Sequence, residues 1–150
     1  RKFKIAVTGA AKDRAAIQFH DIGIQIVRGS DGNVAFDVYV GGGQGRTPMV
    51  AHRIGIAVPA ADLIAYLEAV MRVYNQYGRR DNIYKARIKI LVHQIGAEDM
   101  RRQVEAEFAE IKTRGELGLP AEEIARIKAY FAPPAFERLP REAPEADAFA

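Results

Sequence analysis

The sequence predicts an α+β fold: a mixed or antiparallel sheet with helices packed on one face. Two observations carry this. Apolar residues recur with period two in residues 2–8, 22–28 and 34–40, and with helical period in segments between residues 59 and 131. The order, strands first and helices after, is that of an α+β domain.

Residues 2–8 alternate, with Phe3, Ile5 and Val7 set against Lys2, Lys4 and Ala6, and are expected to form a strand with one buried face. Residues 10–20 are small and polar and are expected to form a loop. In 22–28, Ile22, Ile24 and Ile26 share a face, and in 34–40 Val34, Phe36, Val38 and Val40 do. Ser30-Asp31-Gly32-Asn33 between them suits a tight turn, so 22–40 is expected to be a hairpin. The three strands are expected to share one sheet.

A glycine loop, Gly41-Gly42-Gly43-Gln44-Gly45-Arg46-Thr47, leaves the last of these strands. Pro59 is expected to open a helix at its first position, with Asp62 complementing the helix dipole. Leu63, Ile64, Leu67, Val70, Met71 and Tyr74 then form one stripe that ends at Gly78. A basic stretch, Arg79 to Lys89, leads into an apolar helical segment, 88–95. After Gly96 a helix over about 97–112 carries Met100, Val104, Phe108 and Ile111 in register. The helices 60–77 and 97–112 are expected to pack on the sheet. Pro120 with Glu122 and Glu123 starts a last helix that runs to about Phe131. Residues 1–131 are therefore expected to form the domain, and 132–150, rich in Pro, Ala and Glu, a linker or extended segment.

Composition narrows the function. The chain has 150 residues, enough for a single core, and no run of eighteen apolar residues that could cross a membrane. No signal-peptide pattern precedes the first strand, so a cytoplasmic location is expected. With no cysteine, this chain offers no disulfide, no thiolate nucleophile and no iron–sulfur ligand. The three histidines, His20, His52 and His93, lack metal-ligand spacing. The single serine, Ser30, lies in a turn, so no serine–histidine–carboxylate arrangement is legible. A net charge of +3 is compatible with an anionic ligand and equally with a solvated surface.

Three constellations remain. In Arg1-Lys2-Phe3-Lys4 a strand would turn Lys2 and Lys4 to the same side, about 7 Å apart along the backbone. That pair is either a solvated strand face or an oxyanion site. The glycine loop lets backbone approach a large ligand closely, or is a plain surface loop. It is neither a P-loop nor a convincing dinucleotide fingerprint. In Gly78-Arg79-Arg80-Asp81-Asn82-Ile83-Tyr84-Lys85-Ala86-Arg87-Ile88-Lys89, five basic residues fall in eleven positions. A helix from 83 would bring Lys85 and Lys89 one turn apart. The stretch suits carboxylates, a solvated face, or nucleic acid with Tyr84 stacking. Acidic helices at 97–110 and 120–123 break any continuous basic surface and weigh against nucleic acid.

Arg1-Lys2-Phe3-Lys4, then Phe36-Asp37-Val38-Tyr39-Val40-Gly41-Gly42-Gly43, then Gly78-Arg79-Arg80-Asp81-Asn82 with Lys85 and Arg87, resembles the siroheme-containing nitrite and sulfite reductases over about residues 1–112. The specificity lies in three motifs in the right order. Phe19-His20-Asp21 departs from the family's more usual Asn-Asp pair.

The resemblance implies an enzyme that reduces sulfite to sulfide, or nitrite to ammonia, with siroheme bridged through a cysteine to a [4Fe–4S] cluster. The cluster ligands would lie outside this chain, and this segment alone would be inactive. The electron donor would be ferredoxin or a flavoprotein. By the same resemblance Lys2 and Lys4 would be the catalytic groups facing the anion. Arg1, Gly42, Gly43, Gln44, Arg46, Arg80, Asn82, Lys85 and Arg87 would contact the cofactor, with Arg87 binding one of its carboxylates. Lysine at position 4, where nitrite reducers tend to carry Asn, points to sulfite.

Overall fold

A computed structural model describes residues 3–118 and 120–136. The chain divides into two compact units, Arg1–Gly118 and Leu119–Ala150. The first holds a four-stranded sheet: β1 (Ile5–Thr8), β2 (Ile22–Arg28), β3 (Val34–Val40) and β4 (His52–Pro59), in the order β1-β2-β3-β4. β1 runs parallel to β2, and the other two pairings are antiparallel. α1 (Leu63–Tyr77), α2 (Ile88–Ile95) and α3 (Ala97–Arg114) complete this unit. The second unit contains α4 (Ala121–Tyr130). The mixed sheet with helices is the α+β fold expected.

The hairpin β2–β3 forms in the expected register, with Ile24 opposite Val38 and Ile22 opposite Val40. These four side chains are buried, and with Ile54 and Val58 of β4 they form the sheet side of the core. The helix side is supplied by Ala69, Val70 and Val73 of α1, Leu91 and Val92 of α2, and Met100, Val104 and Ile111 of α3. α1 and α3 pack together and against β4, while α2 packs against β3. Tyr66 joins the layers: its hydroxyl donates to the Ile54 carbonyl at 3.0 Å, and its ring meets Phe108 edge-on at 5.3 Å. Burial pushes the Tyr66 phenol well above the ordinary tyrosine range, with the Glu105 charge adding to the effect.

The structure departs from the expectations in five places. β4 was not foreseen, although Ile54, Ile56 and Val58 alternate along it. Glycine and alanine fill its intervening positions and blur the pattern. A bulge at Phe36–Val38 also interrupts its pairing with β3. There the buried Asp37 carboxylate replaces ladder bonds, accepting from Ala57 N at 2.8 Å and from Arg53 Nη1 at 2.9 Å. Pro59 therefore closes β4 rather than opening a helix; a 3-10 turn, Ala60–Asp62, intervenes before α1.

The expected buried face of β1 is open. Phe3, Ile5 and Val7 remain 42%, 46% and 52% exposed, because β1 is an edge strand whose main packing is against β2 and the 3-10 turn Ile17–Phe19. That turn itself lies within the segment expected to be loop. Finally, residues 83–87 are not helical. Arg87 is extended and α2 starts at Ile88, so Lys85 and Lys89 are not successive turns of one helix. No described helix is long and apolar enough to cross a membrane.

Candidate anion-binding site

Three chain segments meet beside the first residue of β2. Lys4 directly precedes β1, and its carbonyl accepts from Ile22 N at 3.2 Å. Asp21, only 2% exposed, stands at the start of β2. One of its carboxylate oxygens, Oδ2, accepts the Lys4 backbone N–H at 3.1 Å. The other, Oδ1, accepts from Arg87 Nε at 3.0 Å and from Arg87 Nη2 at 2.7 Å. Arg87 gains this reach from its extended backbone just ahead of α2. The Asp21 carbonyl accepts from Gly41 N at 3.0 Å, which anchors the glycine loop to the same point.

The loop packs against backbone. A Cβ at Gly42 would lie 2.2 Å from the Gln18 carbonyl oxygen and 2.6 Å from that of His20. Glycine is therefore demanded here by the protein's own packing. At Gly43 a Cβ would meet Lys89 Cδ at 3.1 Å and Arg87 Nη2 at 3.2 Å, so both cationic side chains run along the loop. Lys89, 6% exposed, donates from Nζ to the Thr47 carbonyl at 2.5 Å and the Gln44 carbonyl at 3.2 Å. It ties down the outer turn that carries Gln44 and Arg46. Burial, with the nearby Arg87 charge, holds the Lys89 ammonium below the ordinary lysine range, and Asp21 opposes the shift.

Two cavities flank this joint. One, of about 440 Å³, is lined by Lys4, His20, Asp21, Gly43, Gln44 and Arg87, among others. His20 is held with Nδ1 3.0 Å from the Ala16 carbonyl. The second, of about 520 Å³, is lined by Arg46, Lys85, Arg87 and Lys89 together with Gln44 and Tyr84, among others. Four cations face it and no carboxylate does, among the described residues. Gln44 and Arg87 belong to both linings, so the cavities share a wall. An open site with this charge favours an anion with several oxygens, because guanidinium and ammonium donors make the strongest hydrogen bonds to such groups.

The structure thus brings Lys4, Gly43, Gln44, Arg46, Lys85 and Arg87 to one region, with Gly42 directly behind. Arg1 and Lys2 lie outside the described residues. Arg80 and Asn82 have other partners. Arg80 donates to Asn75 Oδ1 at 3.1 Å and sits 4.6 Å above the Tyr74 ring. Asn82 caps the turn before Lys85, accepting from Tyr84 N at 2.9 Å. Arg79 bonds both carboxylate oxygens of Asp81.

Sequence reasoning missed Asp21 and Lys89 as site residues. Lys89 was legible in retrospect: a lysine within Ile88-Lys89-Ile90-Leu91-Val92 interrupts an apolar run and has to find acceptors when buried. Asp21 gave no comparable signal, because its partners are 17 and 66 residues away.

The chain resembles known proteins. Residues 1–112 match the family described as "Nitrite and sulphite reductase 4Fe-4S domain". A sulfite reductase [ferredoxin] of Synechococcus elongatus is 38% identical over 116 residues, covering 72% of this chain and 18% of the relative. An assimilatory ferredoxin-dependent nitrite reductase of Haloferax mediterranei is 36% identical, covering 77% and 21%. The sulfite reductase [NADPH] hemoprotein beta-component of Nitrosomonas eutropha is 34% identical, covering 70% and 20%. The chain spans about a fifth of the length of these relatives. Among solved structures, the NirA protein of Mycobacterium tuberculosis superposes with a TM-score of 0.58 at 31% identity, over 62% of this chain and 17% of that one.

Proposed function

Because the chain belongs to the siroheme-dependent nitrite and sulfite reductase family, we propose that it forms the anion-facing wall of the siroheme site in a parent reductase that converts sulfite to sulfide. The observation that carries this reading is the cavity bounded by Arg46, Lys85, Arg87 and Lys89, with no carboxylate among the described residues that line it.

Siroheme bears eight carboxylates, and the donor set fits such a group. Arg46, Lys85 and Arg87 would bind its carboxylates, with Gln44 contributing amide contacts. Lys89 would hold the loop and add its charge. Gly42 and Gly43 keep that loop close to the protein, which leaves the space above it for the macrocycle. The proposed contacts of Arg1, Arg80 and Asn82 lack this support, the latter two being engaged elsewhere. A [4Fe–4S] cluster does not fit this chain, which has no cysteine; its ligands would come from other parts of the parent.

When bound, the siroheme would supply electrons to the anion. The protein's part is charge and protons. Lys4 is exposed at the cavity lined by Arg87, and its backbone is held by Asp21. Its ammonium would bind an anion oxygen, and it holds a proton for the oxygen that must leave as water. The interaction strengthens as charge develops on that oxygen. Lys2 would act beside it. Sulfite carries more negative charge than nitrite near neutral pH, so a second ammonium favours sulfite. Nitrite is the second reading, favoured by the Haloferax relative. The donor would be ferredoxin or a flavoprotein.

The test is Lys4→Asn in the full-length enzyme, with steady-state turnover measured on each anion and siroheme occupancy read by absorbance. A charge-assisted hydrogen bond lost only in the transition state lowers the rate about tenfold to a hundredfold. Sulfite turnover is expected to fall by that much and nitrite turnover by less. An unchanged sulfite-to-nitrite ratio in fully loaded enzyme would remove Lys4 from selectivity.

A further inference from the structure

Asp21 is a buried carboxylate without a part in the proposed chemistry, yet all three segments of the site bond to it. Its Oδ1 takes two hydrogen bonds from Arg87 at 3.0 and 2.7 Å, and its Oδ2 takes the Lys4 N–H at 3.1 Å. Its main-chain carbonyl takes Gly41 N at 3.0 Å. We propose that Asp21 is the positioning residue of the site: one carboxylate sets the direction of the cofactor-facing guanidinium and the height of the substrate-facing lysine together.

The chemistry favours this over a merely structural ion pair. Using Nε and Nη2 on one oxygen fixes the guanidinium plane and leaves Nη1 to donate elsewhere. Arg87 lines both cavities, so its orientation is felt on the cofactor side and on the Lys4 side. A neutral amide cannot do the same work. It has one accepting oxygen where the carboxylate uses two, so Asp21→Asn has to surrender either Arg87 or the Lys4 N–H. Freed from Asp21, the Arg87 side chain would sample several rotamers and bind a carboxylate less tightly, since preorganisation is lost.

The inference rests on the proposed cofactor role of Arg87, and the experiment separates the two. In the full-length enzyme, siroheme release is followed as the loss of protein-bound visible absorbance with time after dilution and gel filtration, for wild type, Asp21→Asn, Arg87→Gln and the double variant. Asp21→Asn is expected to speed release about tenfold, the size of one charge-assisted hydrogen bond. In the Arg87→Gln background the same change is expected to add less than about twofold, because both substitutions remove one interaction. Equal release from Asp21→Asn and wild type would overturn the positioning role while leaving that of Arg87 intact. So would a tenfold effect in both backgrounds. If Arg87→Gln releases siroheme as slowly as wild type, the cofactor role of Arg87 fails, and this inference with it. Should Asp21→Asn not fold, the double variant against Arg87→Gln decides alone: equal release supports the proposal, and faster release overturns it.

Discussion

Lys89→Met separates the cation's work from the stem's. The substitution keeps a long unbranched side chain beside Gly43 and α2 but deletes the ammonium. Two bonds are lost, to the carbonyls of Gln44 and Thr47 at 3.2 and 2.5 Å. Bonds from a charged donor are worth about 1.5–3 kcal/mol each. Two terms reduce that sum. Residues 44 and 47 are exposed, so their carbonyls can turn to water. The Lys89 ammonium also pays for its own burial, as its lowered pKa records. A net loss of about 2 kcal/mol follows, a fall in Tm of roughly 6 °C for a chain of this size. Calorimetric melting measures it, and amide hydrogen exchange of residues 44–47 should accelerate in the variant. The pH dependence gives a second readout. Between the lowered folded pKa and the ordinary 10.5 the unfolded chain binds more protons at Lys89 than the folded chain does. Its contribution therefore makes stability rise with pH through that window, and Lys89→Met should abolish the rise. A variant that melts at or above the wild-type temperature, with unchanged exchange at 44–47, would refute the loop-clamp role.

Three further outcomes are expected. Gly42→Ala drives a Cβ to 2.2 Å from the Gln18 carbonyl, so it should destabilise by about 3 kcal/mol or more, by chemical denaturation. Gly45→Ala, with no atom within 4 Å, should cost only the strain of its positive φ, about 1–2 kcal/mol. Tyr66→Phe removes the bond to the Ile54 carbonyl and should cost about 1 kcal/mol in the same assay. Because folding raises the Tyr66 pKa above the ordinary 10.0, wild type should lose stability as pH climbs above about 10, and Tyr66→Phe should lose less.

Much of the fold was legible because it rests on local periodicity. β2 and β3 fall on the expected residues, as do α2 and the stripe Met100, Val104, Phe108 and Ile111 of α3. Where periodicity was broken, legibility failed. β4 mixes Gly55 and Ala57 into its pattern and pairs around a bulge that only Asp37 explains. β1 alternates as an inward-facing strand would, yet its place at the sheet edge, set by long-range pairing, leaves that face open.

The site divides in the same way. The basic run and the glycine loop stood out by composition, and Arg46, Lys85 and Arg87 do gather round one cavity. Arg80 was grouped with them by the family resemblance; it makes a cation–π contact with Tyr74 and a bond to Asn75 at the end of α1. Asp21 was invisible as a hub because a single carboxylate carries no pattern, and its three tethers are set by tertiary structure alone.

The central claim is that this chain builds part of a siroheme site, and the visible absorption spectrum of the purified full-length protein tests it most directly. Siroheme bands together with bound iron, and a spectral shift on titration with sulfite, are the predicted result. A colourless, iron-free full-length protein that shows no spectral change with either sulfite or nitrite would contradict it.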